Sequence, residues 1–420
     1  MPLDLLLPLI STGLPVFRVL RDGNYRYFLT ASVANQLGRY MWLLTSGFLV
    51  LRFTDSIFLT QMVGVAAAIP LAPVGLMIGV VADSFDRRKI LLFGLVVNTG
   101  LALVASALAL AGVLAAWHLI VLTLILGSVM VSDQVTRRVF VSDMMPRDHL
   151  VHAIALDVFG MMTGMMIGPL LAGALLDIVP SSNDFNLVFV YALIAVLFFI
   201  ASLFMRQTQP QAVTGSSGLT LWSTFRSFGE GFRLVTGSRA IIGFLGITLL
   251  FNLLYYSHQP LIPVFAEKVL EVGPTALGAL ASAGGLGGLI GLVFIASRRH
   301  IERKSMYFYG GTMTALVFLF VFAASNTYLV AFAALLLAGV GVSGFSSMQS
   351  TLILLSTPYA ARGRVLGIQS IVIGVAPVGS LLVGAAAAFW GPGEAVRGIA
   401  AGGFVLTGLW VIGAKQMRQL

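Results

Sequence analysis

Apolar segments of about twenty residues or more recur along nearly the whole chain and constrain its fold more than any other feature. A helix needs about 20 apolar residues to cross the hydrocarbon core of a bilayer. Hydrophobic residues make up 58% of the chain, more than a soluble core could bury, so the excess must face lipid. Alternating strand patterns are absent, so the sequence predicts an all-α integral membrane protein. We predict spans at 26–50, 56–82, 90–112, 117–140, 151–178, 186–205, 240–264, 274–297, 305–325, 328–353, 363–389 and 395–414.

Basic residues sort to one side of this predicted membrane. An even number of spans puts both termini on the same side, and loops on that side hold almost all the lysines and arginines. Arg52, Lys268 and Arg397 lie in loops on the opposite side, and Arg39 lies inside a span. Because an excess of lysine and arginine marks cytoplasmic loops, we predict a multi-pass protein of the bacterial inner (cytoplasmic) membrane with both termini in the cytoplasm. The net charge of +9 then indicates orientation in a membrane and not binding to nucleic acid.

The chain divides into two similar halves. Residues 26–205 and 240–420 each contain six predicted spans, and the polar segment 206–239, with one amphipathic helix, joins them on the cytoplasmic side. Residues 1–25 read as an N-terminal interfacial segment. The sequence PRDHLVHAIAL, followed by GPLLAG, in the first half is echoed by RGRVLGIQS, followed by APVGSLLVG, in the second. Internal repeats of this kind are typical of transporters, whose substrate site lies at the repeat interface.

The charged stretch GVVADSFDRRKIL, residues 79–91, resembles the motif that follows the second helix in the major facilitator superfamily. DMMPRDHLVHAIALD at 143–157 and RGRVLG at 362–367 are similar to a bacterial branch of enterobactin-exporter-like and macrolide-efflux-like drug:proton antiporters. GMMIGPLLAG resembles the fifth-helix motif of the superfamily's antiporters, through Gly164, Gly168, Pro169 and Gly173. The resemblance implies the major facilitator fold, in which twelve transmembrane helices form two six-helix bundles.

One position departs from that branch. The branch carries an acidic residue after the glycine of its first-helix QLG motif, whereas this chain has Arg39 there. No coupling role of an acid at this position can therefore be transferred to the chain.

The resemblance also implies a conformational latch on the cytoplasmic side. Gly79 would let the second helix approach the eleventh, and Asp83 would face the positive start of that eleventh helix. Arg87 would reach Asp143 at the end of the fourth helix. We expect these contacts only while the cytoplasmic ends of the two bundles touch, which would favour the outward-open state. The predicted latch residues are Gly79, Asp83, Arg87, Asp143, Arg362 and Arg364.

Helices one, four, seven and ten line the central cavity in the superfamily, and each carries a polar stripe at helical spacing here. Tyrosine side chains suit a binding pocket because they are large and polar-tipped, whereas the serines of the tenth helix fit close helix packing equally well. Arg39 lies near the middle of its span and needs a partner, for which Asp133 is the nearest candidate. That pair could be structural or functional. The predicted cavity residues are Asn35, Arg39, Trp42, Asn252, Tyr255, Tyr256, Gln259 and Ser346.

Three titratable residues inside the spans are candidates for proton coupling, namely Asp133, Asp157 and His258. Protonation of Asp133 would release Arg39 to bind an anionic group of the substrate. Asp157 has the alternative of pairing with a basic residue of the fourth helix. A lone histidine late in a span, such as His258, is more often a hydrogen-bonded packing residue.

We therefore expect a monomeric, proton-coupled exporter of a small amphipathic or hydrophobic compound, such as a drug, a macrolide or a siderophore. A metabolite importer or uniporter of the same fold is the alternative, and a non-transporting membrane sensor is a third hypothesis. The sequence shows no catalytic carboxylate pair, histidine cluster or nucleophile–base set, so we do not expect an enzyme. It also lacks cysteine and nucleotide-binding motifs, so we expect neither a metal site nor a cofactor.

Overall fold

The computed structural model describes residues 19–71, 73–74, 86–178, 185–209, 232–298, 303–357 and 362–413. Over these residues the chain forms twelve helical spans, numbered α1 to α12 in chain order, and no strand. A short 3₁₀ turn, Val19–Arg21, precedes α1. The spans are α1 Gly23–Thr54, α2 Ile57–Ala68, α3 Arg87–Leu110, α4 Ala116–Met144, α5 Arg147–Ile178, α6 Phe185–Gln207, α7 Arg239–Lys268, α8 Pro274–Ala296, α9 Lys304–Ala324, α10 Tyr328–Leu355, α11 Arg362–Ile373 continued by Ala376–Trp390, and α12 Pro392–Gly413.

The helices begin and end where the local sequence dictates. Asp22 caps α1, because its carboxylate accepts a hydrogen bond from the Asn24 amide at 2.8 Å. Ser56 caps α2 in the same way, accepting from the Leu59 amide at 3.2 Å. Gly391 separates α11 from α12 with a φ of 85°, a left-handed conformation that glycine adopts without steric cost.

The predicted all-α membrane fold is confirmed. Ten helices of the described chain are long and apolar enough to cross a membrane. Of the other two, α1 has 32 residues but is more polar, and α2 is described as a helix only over Ile57–Ala68. Phe93, Leu329 and Phe389 leave 71%, 76% and 85% of their surface exposed on the outside of the protein. Such exposure of large apolar side chains fits a surface covered by lipid and not by water.

The two halves of the chain pack separately and then meet along two seams. In the first half α1 packs against α5 and α6, and α3 against α6. In the second half α10 packs against α8 and α9, and α12 against α9 and α11. The seams between the halves are formed by α5 with α8 and by α2 with α11. This arrangement leaves the space between the halves for a central cavity.

The helix α7 is not the continuous span that the sequence predicts over 240–264. It is α-helical over Arg239–Leu250, widens to a π turn at Phe251–Tyr255, tightens to a 3₁₀ turn at Tyr256–Leu261, and ends as an α-helix at Lys268. Pro260 explains the interruption, because proline has no amide hydrogen and its ring excludes the carbonyl four residues earlier.

The span predicted at 363–389 is also divided. The helix α11 stops at Ile373 and restarts at Ala376, with Pro377 in the first turn of the new segment. By contrast Pro169 lies inside α5, which stays helical throughout. The two prolines that mark the sequence repeat therefore have different effects on their helices.

The predicted segments outside the two bundles lie mostly beyond the described residues. Residues 1–18 of the N-terminal segment are not among them, and neither are residues 210–231 of the linker. Of the predicted linker, the structure describes the end of α6 at Gln207 and a helical turn that leads into α7. The predicted amphipathic helix of the linker therefore remains a prediction.

Candidate functional site

A central cavity of about 1040 Å³ lies between the two halves. It is lined by α1, α2, α4 and α5 from the first half and by α7, α8, α10 and α11 from the second. The sequence predicted the lining helices one, four, seven and ten, and the four seam helices α2, α5, α8 and α11 add to them. A cavity of this size and composition can enclose a drug-sized molecule.

Most of the predicted cavity residues line this space. Arg39 contributes from α1, and Ser346 from α10. The interrupted part of α7 contributes the most polar stretch, with Asn252, Tyr255, Tyr256, His258 and Gln259 all on the cavity wall. Asn252, Tyr255, Tyr256 and Gln259 would share one face of a regular helix as well, because they are spaced at i, i+3, i+4 and i+7. His258 departs from that spacing and joins them on the wall within the interrupted part.

Two predicted cavity residues lie elsewhere. Trp42 is fully buried in the first half, where its indole Nε1 donates to Thr123 Oγ1 at 2.9 Å and its ring meets Tyr191 edge-on. Asn35 is buried as well, and its Nδ2 donates to Asp133 Oδ2 at 3.4 Å. The prediction that both line the cavity is wrong, because the face of α1 that carries them is turned to α4 and not to the second half.

Methionines on α5 are part of the cavity wall. Met161, Met162 and Met165 line the wall, and Met130 joins them from α4. Thioether side chains are flexible and polarizable, so they adapt to apolar ligands of different shapes. Their spacing along α5 was visible in the sequence, but spacing alone does not tell which neighbour a helix face meets.

Five polar residues of the first half form what we call the charge cluster. Arg137 stands at its centre and pairs with both Asp133 and Asp157, the latter at 3.6 Å between Nη1 and Oδ1. Ser32 links the same groups, because its hydroxyl accepts from Arg137 at 2.8 Å and donates to Asp157 at 2.8 Å. The charge cluster consists of Ser32, Asn35, Asp133, Arg137 and Asp157.

The expected ion pair between Arg39 and Asp133 is not formed. Asp133 pairs instead with Arg137, one helical turn further along α4, where an (i, i+4) spacing brings the two side chains together. Arg39 Nη1 donates only a long hydrogen bond of 3.4 Å, to Gln36 Oε1. Its Nε is buried and has no hydrogen-bond partner among the described residues. The structure thus leaves this guanidinium at the cavity wall without a carboxylate.

His258 is buried beside the aromatic rings of α7. Its Nδ1 donates a hydrogen bond to the backbone oxygen of Tyr255 at 2.5 Å, and its ring meets the Tyr255 ring edge-on at 4.9 Å. The histidine is therefore anchored within its own helix. The described residues contain no group of three or more histidine or acidic side chains that could hold a metal ion.

The cavity extends along most of the length of the bundles. We call the end where α5 and α11 begin the basic end. Ala155, Ala296 and Leu366, which line the cavity, lie within about two turns of that end, and Thr60 and Pro263 lie as close to the opposite end.

At the opposite end the two halves touch. Lys268 Nζ pairs with Asp55 Oδ1 at 2.6 Å, and Arg52 Nε approaches Glu267 Oε1 at 3.6 Å, so α1 and α7 are joined twice. On the other seam Thr275 Oγ1 donates to an Asp177 carboxylate oxygen at 2.7 Å. These contacts close the route from the cavity to this end, which we call the closed end.

The glycines of the fifth-helix motif lie at close helix contacts. A side-chain carbon added at Gly164 would stand 2.6 Å from Gln36 Cβ, and one added at Gly168 would stand 3.0 Å from the Leu37 oxygen, both on α1. At Gly173 it would stand 2.3 Å from the Pro274 oxygen and 2.8 Å from Gly278 Cα on α8. This part of α5 is thus held between α1 and the second half, with glycines permitting the approach.

The latch is described only in part. Gly79 and Asp83 lie outside the described residues. Arg87 Nη1 donates to Asp143 Oδ2 at 2.5 Å, so this contact forms as expected, and Arg362 and Arg364 stand in the first turn of α11. Arg87 begins α3 and Asp143 ends α4, so both belong to the first half and their pair does not itself join the bundles. The expectation that the latch contacts form only while the two bundles touch at the basic end stays a prediction.

Comparisons with known proteins agree with this architecture. The model of the transmembrane secretion effector family matches residues 15–416, which is nearly the whole chain. No curated protein sequence matches the chain at a significant level.

Solved structures share the fold at low sequence identity. The peptide transporter POT in complex with alafosfalin is 14% identical, with a TM-score of 0.71 over 94% of this chain and 95% of that one. A D-xylose-proton symporter is 13% identical, with a TM-score of 0.69 over 91% and 96%. A bacterial homologue of the iron transporter ferroportin, in its inward-facing state, is 16% identical, with a TM-score of 0.68 over 96% and 100%. These likenesses agree with the two-bundle architecture of a membrane transporter. The chain belongs to the transmembrane secretion effector family of the major facilitator superfamily.

Proposed function

We propose that the chain is a proton-coupled exporter that moves small amphipathic or hydrophobic compounds by alternating access. Drugs, macrolides and siderophores are the candidate cargoes. The cavity between the halves supports this proposal, since it lies between two bundles that ion pairs join at one end. The family description, which names secretion, supports export over the alternative of import.

We further propose that the basic end faces the cytoplasm of a bacterial cell, across its inner membrane. Arg87, Arg206, Arg239 and Lys304 stand at or near the ends of helices on this side, as the excess of positive charge in cytoplasmic loops requires. In this orientation the ion pairs of the closed end lie on the side away from the cytoplasm, as a state that loads cargo from the cytoplasm requires.

The observation that carries the proposal of proton coupling is the sharing of one guanidinium by two carboxylates. With Asp133 and Asp157 both ionised, the charge cluster carries a net charge of −1, which Arg39 offsets only through space and without a direct ion pair. Uptake of one proton neutralises it. Asp157 lies between Leu156 and Val158, which line the cavity, so a proton has a short route from there. The charge cluster is neutral with this proton bound and carries one negative charge without it. Its protonation therefore changes the electrostatic potential in the cavity.

The latch has a revised role in this proposal. Because Arg87 and Asp143 meet inside the first half, their pair would hold the ends of α3 and α4 together in every state. Only Asp83, approaching the start of α11, would distinguish the closed basic end from the open one.

Proteoliposomes with a trapped pH-sensitive dye test the coupling. A macrolide, a catecholate siderophore and a cationic dye would be offered as cargoes against an imposed proton gradient. We expect at least one of them to move protons through the unmodified protein. Asp157→Asn and Asp133→Asn should abolish gradient-driven accumulation but retain downhill exchange of the same cargo, because the neutral amide cannot exchange a proton.

Glu394→Gln is the matched control. Glu394 pairs with Arg397 at the start of α12, exposed and far from the charge cluster, so its loss should leave accumulation unchanged. Accumulation that survives in both aspartate variants would contradict the coupling proposal. Cargo movement with no accompanying proton flux would contradict it equally.

A further inference from the structure

The described side chains that line the cavity carry charge of one sign only. Among the described residues that line it, Arg39 is the single charged side chain, and no carboxylate faces the space. Asp133, which acts on Arg39 through space, is paired directly with Arg137 and does not line the cavity. The described wall of this cavity of about 1040 Å³ thus presents one fixed positive charge to whatever enters it.

Arg39 is also short of hydrogen-bond acceptors. A guanidinium has five N–H donors in a planar fork, and arginine stays charged under all ordinary conditions. The Gln36 bond of 3.4 Å is weak, and the Nε hydrogen has no acceptor among the described residues. A half-buried cation that is short of acceptors is costly, and an anion that enters the cavity would supply both acceptors and charge.

Several other side chains of the cavity wall are apolar or aromatic. Tyr40 lies next to Arg39, with the guanidinium carbon 5.7 Å from the ring centre. Phe159 and Met162 of α5 and Tyr256 of α7 line the same cavity. Such a surface suits a flat, hydrophobic body, which would stack on rings and adapt to the thioether.

We propose that Arg39 binds the carboxylate or sulfonate of an amphipathic organic anion, whose aromatic body lies against Tyr40, Phe159, Met162 and Tyr256. The inference rests on the proposed transport function, since it takes this cavity as the substrate site. It goes further by naming the charge of the cargo. Cationic compounds are disfavoured, because no carboxylate among the described residues of the cavity wall would compensate them.

Equilibrium binding of three dansyl probes to the purified protein in a non-ionic detergent tests this proposal. Dansylglycine is an anion, dansylamide is neutral and dansylcadaverine is a cation, and all three carry the same ring system. We expect dansylglycine to bind about tenfold more tightly than dansylamide, since a charge-assisted hydrogen bond in a dry site contributes about this factor. Dansylcadaverine should bind weakest.

Arg39 variants separate the charge from the shape of the cavity. Arg39→Gln should reduce affinity for the anion to that for the neutral probe, whereas Arg39→Lys should keep part of the preference. Arg26→Gln is the matched control, because Arg26 lies on the same helix and does not line the cavity. It should leave the order of the three affinities unchanged.

Two outcomes would overturn the inference. One is equal or stronger binding of the cation by the unmodified protein, which needs no variant and so does not depend on how well the variants fold. The other is a preference for the anion that persists in a folded Arg39→Gln protein. Because the assay measures binding without any gradient, loss of proton coupling in the liposome experiment would leave its result unaffected.

Discussion

The two halves of this protein carry different chemistry within the membrane. The first half buries the charge cluster and Arg39 on helices that stay regular, even across Pro169 in α5. In the second half all charged side chains of the described residues lie at or near helix ends, and two helices, α7 and α11, are interrupted. Repeats of similar sequence have therefore diverged in function.

The difference indicates how the work of transport could be divided. Buried charges need a rigid frame, because a pair held at poor geometry does not offset the cost of removing both ions from water. An uncharged half has no such requirement and can tolerate irregular backbone where that backbone lines a cavity. On this view the first half senses the proton and the anion, and the second half supplies the adaptable wall.

The largest effect is expected from removing the centre of the charge cluster. Arg137→Gln leaves Asp133 and Asp157 buried without their counter-charge, which should lower the free energy of unfolding by about 3–5 kcal/mol. Thermal unfolding in detergent would measure it. The comparable pair of the second half, Arg397 with Glu394, is exposed, so Arg397→Gln should cost at most about 1 kcal/mol. Similar losses in both variants would remove the contrast between the halves.

The second-largest effect is expected from a substitution at the seam between α5 and α8. Gly173→Ala puts a carbon 2.3 Å from the Pro274 oxygen. Because a backbone atom cannot move away as a flexible side chain can, we expect the free energy of unfolding to fall by about 1–3 kcal/mol. The protein can relieve this clash by separating the halves at the closed end. A Thr275→Cys reporter should then react faster with a membrane-impermeant thiol reagent, in a chain that has no other cysteine. Gly310→Ala, in open space on α9, is the control, and equal reaction rates would contradict the expectation.

A smaller and more specific effect is expected where α2 meets the interrupted part of α7. A carbon added at Gly64 would stand 2.2 Å from Pro260 Cγ, so Gly64→Ala should cost about 1–2 kcal/mol. Pro260→Ala removes that ring and should suppress much of the cost. The double variant would then be more stable than the sum of the single changes predicts. Strict additivity in unfolding measurements would show that the proline ring does not set this contact.

The smallest effect is expected from the exposed ion pairs at the closed end. Lys268→Met breaks the pair with Asp55, whose side chain is 88% exposed, and should shift the opening of this end by about 0.5–1 kcal/mol. The shift should shrink in high salt, since water and ions already screen the pair. Labelling of Thr275→Cys at two salt concentrations would detect it. Arg298→Met, at the basic end, should change nothing in the same assay.

Most of the fold could be predicted from the sequence, because the length of an apolar run and the side on which basic residues gather follow from the bilayer itself. The charge cluster could be predicted only in part. Asp133 and Asp157 were recognised as buried acids, and the alternative that Asp157 pairs with a basic residue of the fourth helix is confirmed by its pair with Arg137. The partner expected for Asp133, however, was Arg39 and not Arg137. Arg137 lies four residues after Asp133 in the sequence. This spacing indicates the ion pair that forms, since (i, i+4) neighbours lie on one helix face.

Other features depend on packing that a single helix does not encode. Trp42 carries an amphipathic side chain of the kind that binding pockets use, yet it faces Thr123 inside the first half. Residues on nearly every face of α1 are buried, so its polar stripe does not indicate which neighbouring helix that face meets. The interruption of α7 was visible in SHQPLIP, where two prolines lie three residues apart, but their effect on the cavity wall depends on where α2 packs.

The contact of Gly173 with Gly278 has a mechanical consequence. The contact lies five residues from the end of α5 at the closed end. In the other direction α5 extends about 39 Å from Gly173 to Arg147, at 1.5 Å per residue. The contact can therefore act as a fulcrum near one end of a long lever. A tilt of about 10° would move the basic end by about 7 Å and the closed end by about 1 Å. Small rearrangements at the closed end would thus accompany a wide change at the mouth of the cavity.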